Sequence, residues 1–416
     1  MEATPAAVTP PLLQAWNAVG TGGALLVEGA ELVRVDLPFV APVGTAVGTH
    51  RSRPLVLVHL RCRRPDGGEA VDGWGECAAL GDTTYDAEDV DGVWSTLERV
   101  LLPGLAAGAR SIGGLLPPVG SLESLAGLAP GHPLAYAALE TAVADAHLRA
   151  AGTSFAGLLG VAGSEVAPGA VLGTADSPAE LLDAVARCAD AGFVRVKVKI
   201  VPGSELATVS ALAGWADSAP GNVPRFQVDA NGAYGSEDLD RLVALDPYGL
   251  LCIEQPFARH DLASHRELAA RIRTPVCLDE SLDGPAAVRA AVVSGTCSVV
   301  CVKPARLGGI GAALDVVAWC SAGGIPWWVG GMFESGLGRR VTTALGALAG
   351  PVLPGDLAPP ESYLAADLVG PERSHVVPGS GHLVVAVSGD PGMAPVPDAA
   401  ALATHRVHRL ELGLDS

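Results

Sequence analysis

Three acidic residues and a lysine recur at near-equal intervals in the second half of this sequence: Asp229, Glu254, Asp279 and Lys303, spaced 25, 25 and 24 residues apart. Each closes a short apolar run: Phe226-Gln227-Val228-Asp229, Leu251-Cys252-Ile253-Glu254, Val276-Cys277-Leu278-Asp279 and Val299-Val300-Cys301-Val302-Lys303. Such an interval accommodates one strand, one loop and one helix. The spacing therefore predicts three carboxylates and an amine at corresponding ends of consecutive parallel strands. In a closed βα barrel those ends form one rim, where barrel enzymes do their chemistry. A ring of carboxylates there needs a compensating charge, and a hard cation such as Mg²⁺, or Mn²⁺ in its place, suits it.

Upstream, Val194 to Ile200 alternates. Val194, Val196, Val198 and Ile200 share one face of a strand, and Arg195, Lys197 and Lys199 share the other, which is the barrel interior. Cations inside a barrel are costly unless anions compensate. Each acid also has a simpler role open to it, since Asp at a strand-to-helix junction often caps the helix. Glu254 caps poorly and precedes Gln255-Pro256. In Lys303-Pro304-Ala305-Arg306, the neighbouring Arg306 is expected to lower the lysine pKa and make Lys303 a better base. Gly330-Gly331-Met332-Phe333-Glu334 follows another apolar run. Its glycines allow close backbone approach, so its N–H groups could hold a substrate carboxylate or phosphate. Glu334 could orient a lysine.

The elements that must position these groups are legible. Residues from about 30 to 80 read as strands and those from about 86 to 151 as helices. Ser177-Pro178-Ala179-Glu180 has the form of a helix start, with Gly192 where that helix should end. Strand–helix alternation from about 169 to 350 argues for a parallel sheet, and the matched intervals favour a barrel. The expected division is an extension over 1–28, with Leu12, Leu13 and Trp16 available for docking. An α+β capping region follows over 29–158, a barrel over 159–355, and a segment over 356–416 that returns to the cap. Val43 to Arg51 reads as a flexible stretch between the first two strands.

The 416 residues carry a net charge of −18 and are 49% hydrophobic. That surface repels nucleic acid and anionic membranes. Apolar runs are too broken for a membrane span. The eight cysteines form no CxxC pair, and the N-terminus lacks the basic start of a signal peptide. Buried free thiols in a reducing cytoplasm are expected. The apolar composition would suit a homo-oligomer.

Together these residues resemble the enolase superfamily, in its muconate-lactonizing subgroup. Lys197-Val198-Lys199, the three acids and Lys303 match that subgroup's two lysine sites flanking three metal ligands. Leu37-Pro38-Phe39, Gly73-Trp74-Gly75-Glu76-Cys77, Val228-Asp229-Ala230-Asn231, Ile253-Glu254-Gln255-Pro256, Cys277-Leu278-Asp279-Glu280-Ser281 and Gly330 to Arg339 look like the branch of o-succinylbenzoate synthases and N-acylamino acid racemases. The likeness covers about residues 30–395.

The resemblance implies a (β/α)₇β barrel with an α+β cap, and Mg²⁺ on Asp229, Glu254 and Asp279. It implies abstraction of a proton next to the carboxylate of a small-molecule substrate, giving an enediolate. Lys199 is the expected base, with Lys303 facing it and Lys197 favouring its neutral form. Arg306 and Glu334 are supporting residues. Asn231, Gly331, Met332 and Arg51 are expected substrate contacts, with the stretch near Val43 to Arg51 closing over the ligand. The implied reaction is the dehydration of o-succinylbenzoate synthase, toward menaquinone, with N-succinylamino acid racemisation as the alternative. Muconate cycloisomerase, dipeptide epimerase and a silent scaffold fit less well. Epimerases usually carry an acidic pair after the last barrel strand, which Gly331 to Ser335 lacks.

Overall fold

The computed structural model describes residues 10–45, 48–83, 85–175, 177–219, 221 and 223–413. Ahead of the first strand, Pro11–Asn17 forms a helix whose Trp16 is fully buried. The strands β1 (Leu26–Thr45), β2 (Gly48–Arg63) and β3 (Ala70–Cys77) then form an antiparallel meander. Alternation places Val33, Val35, Leu37, Leu55 and Leu57 in one core, shared with Leu337, Leu364 and Leu368 from the far end of the sequence. Leu32, Val56, Val58 and Leu60 face another core, against the helix Pro133–Ala150. That helix lies hard against β3. A Cβ at Gly73 or Gly75 would meet the carbonyl oxygens of Ala142 and Ala138 at 2.3 and 2.0 Å.

After a two-residue strand β4 (Glu165–Val166), seven parallel strands follow: β5 (Gly169–Leu172), β6 (Arg195–Lys199), β7 (Arg225–Asp229), β8 (Ile253–Glu254), β9 (Val276–Leu278), β10 (Val299–Val302) and β11 (Trp327–Val329). Each pairs with its sequence neighbours. The extended segment 352–356 supplies the eighth stave. Leu353 N donates to Trp327 O (2.8 Å) and Asp356 N to Val329 O (2.9 Å), while Gly169 N on β5 donates to Gly355 O (2.7 Å). The sheet thus closes on itself as a (β/α)₇β barrel. Helices cover its outside. One of them, Pro178–Asp190, starts on the Ser177 cap, whose hydroxyl accepts from Glu180 N.

The tail adds β12 (Ser374–Val376) and β13 (Leu383–Ala386), which form a small sheet with β4, and then β14 (Arg406–Gly413), which pairs antiparallel with β1. One expectation changes here. The stretch from Val43 to Arg51 is a β-hairpin continuation, with Val43 opposite His50 and Thr45 opposite Gly48, and Ala46 and Val47 lie outside the described residues. The ladder resumes past an irregularity between Pro38 and Val43. Among the described residues no helix is long and apolar enough to cross a membrane.

Candidate active site

The barrel gathers the acids and amines at the C-terminal ends of its strands. Asp229 and Glu254 close β7 and β8, Asp279 follows β9, and Lys303 follows β10. The three acids and Lys303 are all buried. Lys199 pairs across the sheet with Asp229, and Asp229 with Glu254. On β6, Val196 and Val198 pack outward under the helices while Arg195, Lys197 and Lys199 point inward.

Two amines flank the acids. Lys199 Nζ lies 2.6 Å from Asp229 Oδ2 and also donates to Asn231 Oδ1. Lys303 Nζ lies 2.8 Å from Asp279 Oδ2 on the other side. Glu254 sits between, accepting from Lys197 at 3.3 Å and from Gln227 Nε2 at 2.7 Å. Sharp turns hold the loops in place: Asn231 and Gln255 adopt left-handed backbone (φ 43° and 38°). The Gln255 amide oxygen accepts from Asp279 N at 3.0 Å, tying the end of β8 to that of β9. Asn231 Nδ2 donates to Glu280 at 2.8 Å.

Burial, reinforced by the Asp229 carboxylate, pushes Glu254 up to about 8. Burial acts the same way on Asp229 and Asp279, but their cations outweigh it and both are held below the usual carboxylate range. The cluster therefore gathers three buried carboxylates beside one another, and Glu254 is the one whose charge its cations compensate least. All-oxygen carboxylates in that state are the donor set a hard divalent cation requires, and the residues fit one. Asp229 Oδ2 is turned toward Lys199 and Lys197, and Oδ1 accepts from Asn231 N. The donor atoms lying mutually within 4.8 Å belong to Glu254, Asp279 and Cys301.

Some expectations need correction, and other residues are given their surroundings. Burial and Arg306 do favour the neutral amine of Lys303, but the adjoining Asp279 carboxylate outweighs them and raises its pKa. Arg306 grips Asp279 itself and reaches Asp86 at 3.1 Å. Lys197 is not a bare charge beside Lys199. Its Nζ is 2.7 Å from Asp356 Oδ2 as well as close to Glu254 and Asp229, which hold it protonated despite its burial. Glu334 orients no lysine; it pairs with Arg339 at 2.7 Å, because the helix from Gly336 turns that guanidinium back over the loop. Arg51 stands exposed at a separate cavity of about 350 Å³ lined by Arg34, Asp36, His50 and Gly81. The Met332 carbonyl is taken by Arg53, at 3.1 and 3.0 Å from Nε and Nη2. Gly331 is demanded by packing, since a Cβ would meet Asp356 O at 2.8 Å. The last stave is 352–356, not the run before Gly331, so the acid to weigh after it is Asp356, which is spent on Arg195 and Lys197.

Sequence reasoning missed Tyr85, whose hydroxyl donates to Asp279 Oδ2 at 2.6 Å and contacts Lys303 Nζ, with its ring beneath Lys303 and Arg306 at 4.7 and 4.6 Å. It comes from the cap, outside the barrel interval, and no spacing announces it. Asp356 was discoverable: it sits one further strand along, in Pro354-Gly355-Asp356. Cap and barrel meet again where Phe39 packs edge-on to Phe333.

Comparison with known proteins agrees with this architecture. Residues 180–400 match the enolase C-terminal domain-like family. The chain is 40% identical to an N-succinylamino acid racemase of Amycolatopsis sp over 371 residues, 89% of this chain and 95% of that one. It is 34% identical to an o-succinylbenzoate synthase of Geobacillus stearothermophilus, over 84% of this chain and 89% of that one. A solved enolase-superfamily structure from Listeria innocua superposes with a TM-score of 0.84 at 28% identity, covering 94% of this chain and 100% of that one. The chain belongs to the enolase superfamily, in the branch that holds o-succinylbenzoate synthases and N-succinylamino acid racemases.

Proposed function

We propose that this protein is an o-succinylbenzoate synthase that dehydrates the cyclohexadiene precursor, a step toward menaquinone, by removing a proton next to a carboxylate. The observation that carries this reading is the pair of amines on opposite flanks of one acid cluster, Lys199 at 2.6 Å from Asp229 and Lys303 at 2.8 Å from Asp279. Asp229, Glu254 and Asp279 would hold a divalent cation, Mg²⁺ in the first instance. When bound, that ion supplies the positive charge that makes a proton beside a carboxylate removable. Lys199, the more accessible amine, takes the α-proton as a neutral base and returns one to the departing β-hydroxyl, which leaves as water. Lys303 stays protonated and stabilises the dianionic enediolate. Asn231 orients Lys199 through its amide oxygen, and Tyr85 and Arg306 orient Lys303 and Asp279.

A second reading is N-succinylamino acid racemisation, in which Lys199 and Lys303 exchange protons from opposite faces of the same carbon. The 40% identity to the Amycolatopsis racemase favours it as a main or second activity. Turnover of the cyclohexadiene precursor beside N-succinyl amino acids, with and without Mg²⁺, tests both. Loss of water from the first and exchange of the α-hydrogen with deuterated solvent in the second are expected. Absence of both would leave a silent scaffold.

A further inference from the structure

Beneath the ring of acids lies a floor of sulfur. Cys252, immediately before β8, Cys277 in β9 and Cys301 in β10 form one buried cluster with Trp328. The three thiols are not equivalent. Cys277 Sγ accepts from Trp328 Nε1 at 3.3 Å and also bonds Leu278 O. Cys301 is 2% exposed, and among the described residues its thiol has no hydrogen-bond partner. It is aimed upward instead, with Sγ inside the same 4.8 Å group as oxygens of Glu254 and Asp279. Gly330 on the next stave keeps that position open, since a Cβ there would meet Cys301 Sγ and Lys303 Cε at 2.6 Å each.

We propose that the centre has a second metal-binding mode, in which a thiophilic divalent cation such as Cd²⁺ or Zn²⁺ is held by Glu254, Asp279 and the Cys301 thiolate. A hard ion prefers oxygen throughout and leaves the sulfur alone, whereas softer ions favour thiolate. Donors around such an ion stand about 3.6 Å apart, given metal–sulfur and metal–oxygen distances of about 2.3 and 2.1 Å. Side-chain rotations closing at most about 1 Å therefore complete the contact. Binding is a ligand exchange without redox change. A sulfur lone pair forms the metal bond, the S–H bond breaks, and its proton is released to solvent. This mode would share Glu254 and Asp279 with the hard-ion mode, with Cys301 in place of Asp229.

The test is a Cd²⁺ titration of the full chain freed of metal, followed by the thiolate-to-cadmium absorption band in the ultraviolet. One equivalent is expected to raise the band in the wild type, to fail to raise it in Cys301→Ser, and to need at least tenfold more Cd²⁺ in Glu254→Gln. No band in the wild type, or a band undiminished in Cys301→Ser, overturns the proposal. If Cys301→Ser does not fold, cadmium NMR of the wild type decides: a mixed sulfur–oxygen shift is expected, and an all-oxygen shift overturns it. The inference shares two acids with the hard-ion reading. The two fail separately, because Mg²⁺-dependent turnover can be absent while the cadmium band is present, and the reverse.

Discussion

At the scale of single residues, Lys199 and Lys303 are placed alike but are not equal. Lys199 reaches solvent, with a side chain 27% exposed against 7% for Lys303. Lys199→Ala is expected to lower both dehydration and racemisation by about 10²–10⁴-fold with the far-ultraviolet circular dichroism unchanged. Full activity in that variant contradicts the assigned base. Lys303→Arg keeps a cation beside Asp279 but cannot relay a proton, because guanidinium does not deprotonate. Racemisation should fall about tenfold or more further than dehydration, and equal losses would refute the division of labour. Much of this was readable beforehand, since the interval ending in Asp229, Glu254, Asp279 and Lys303 is a property of strand repeats. What hid was whatever another unit delivers. Tyr85 arrives from the cap, and no period within the barrel points to it. The Lys303 pKa ran opposite to expectation because Arg306 adjoins it in sequence while Asp279 adjoins it in space.

At the scale of elements, the alternation of Arg195 to Lys199 and the Ser177 cap foretold β6 and the helix before it. The hairpin at Val43 to Arg51 and the last stave at 352–356 escaped notice for opposite reasons. The hairpin's Gly residues masked a ladder, and the stave, Val352-Leu353-Pro354-Gly355-Asp356, has only two strand formers before Pro and Gly break the run. β3 and the helix Pro133–Ala150 approach closely where Gly75 faces Ala138 O. Backbone on both sides leaves nothing soft to give way. Gly75→Ala is expected to cost about 3 kcal/mol, read as a lower urea midpoint at unchanged slope. A loss under about 0.5 kcal/mol would mean that the helix can back away.

At the scale of the molecule, Glu140 joins three regions. Its carboxyl accepts from Trp16 Nε1 at 3.0 Å in the first helix, and from Ile310 N and Gly311 N at 2.6 and 3.3 Å at the start of a barrel helix. Burial outweighs those donors and pushes Glu140 from 4.5 up to about 7. The folded chain therefore binds this proton more tightly than the unfolded one. The resulting stabilisation is complete below 4.5 and is lost as the pH climbs through about 7. Glu140→Gln has no such proton, so its melting temperature should gain on that of the wild type as pH rises across this window. A gap that stays constant with pH would show that the group titrates normally. Strand β14 carries a different consequence. It covers the outer edge of β1, yet residues 406–413 are made long after residues 26–45. During synthesis the nascent cap must wait with a bare backbone rim, open to stray pairing with other chains, until nearly the whole barrel has left the ribosome.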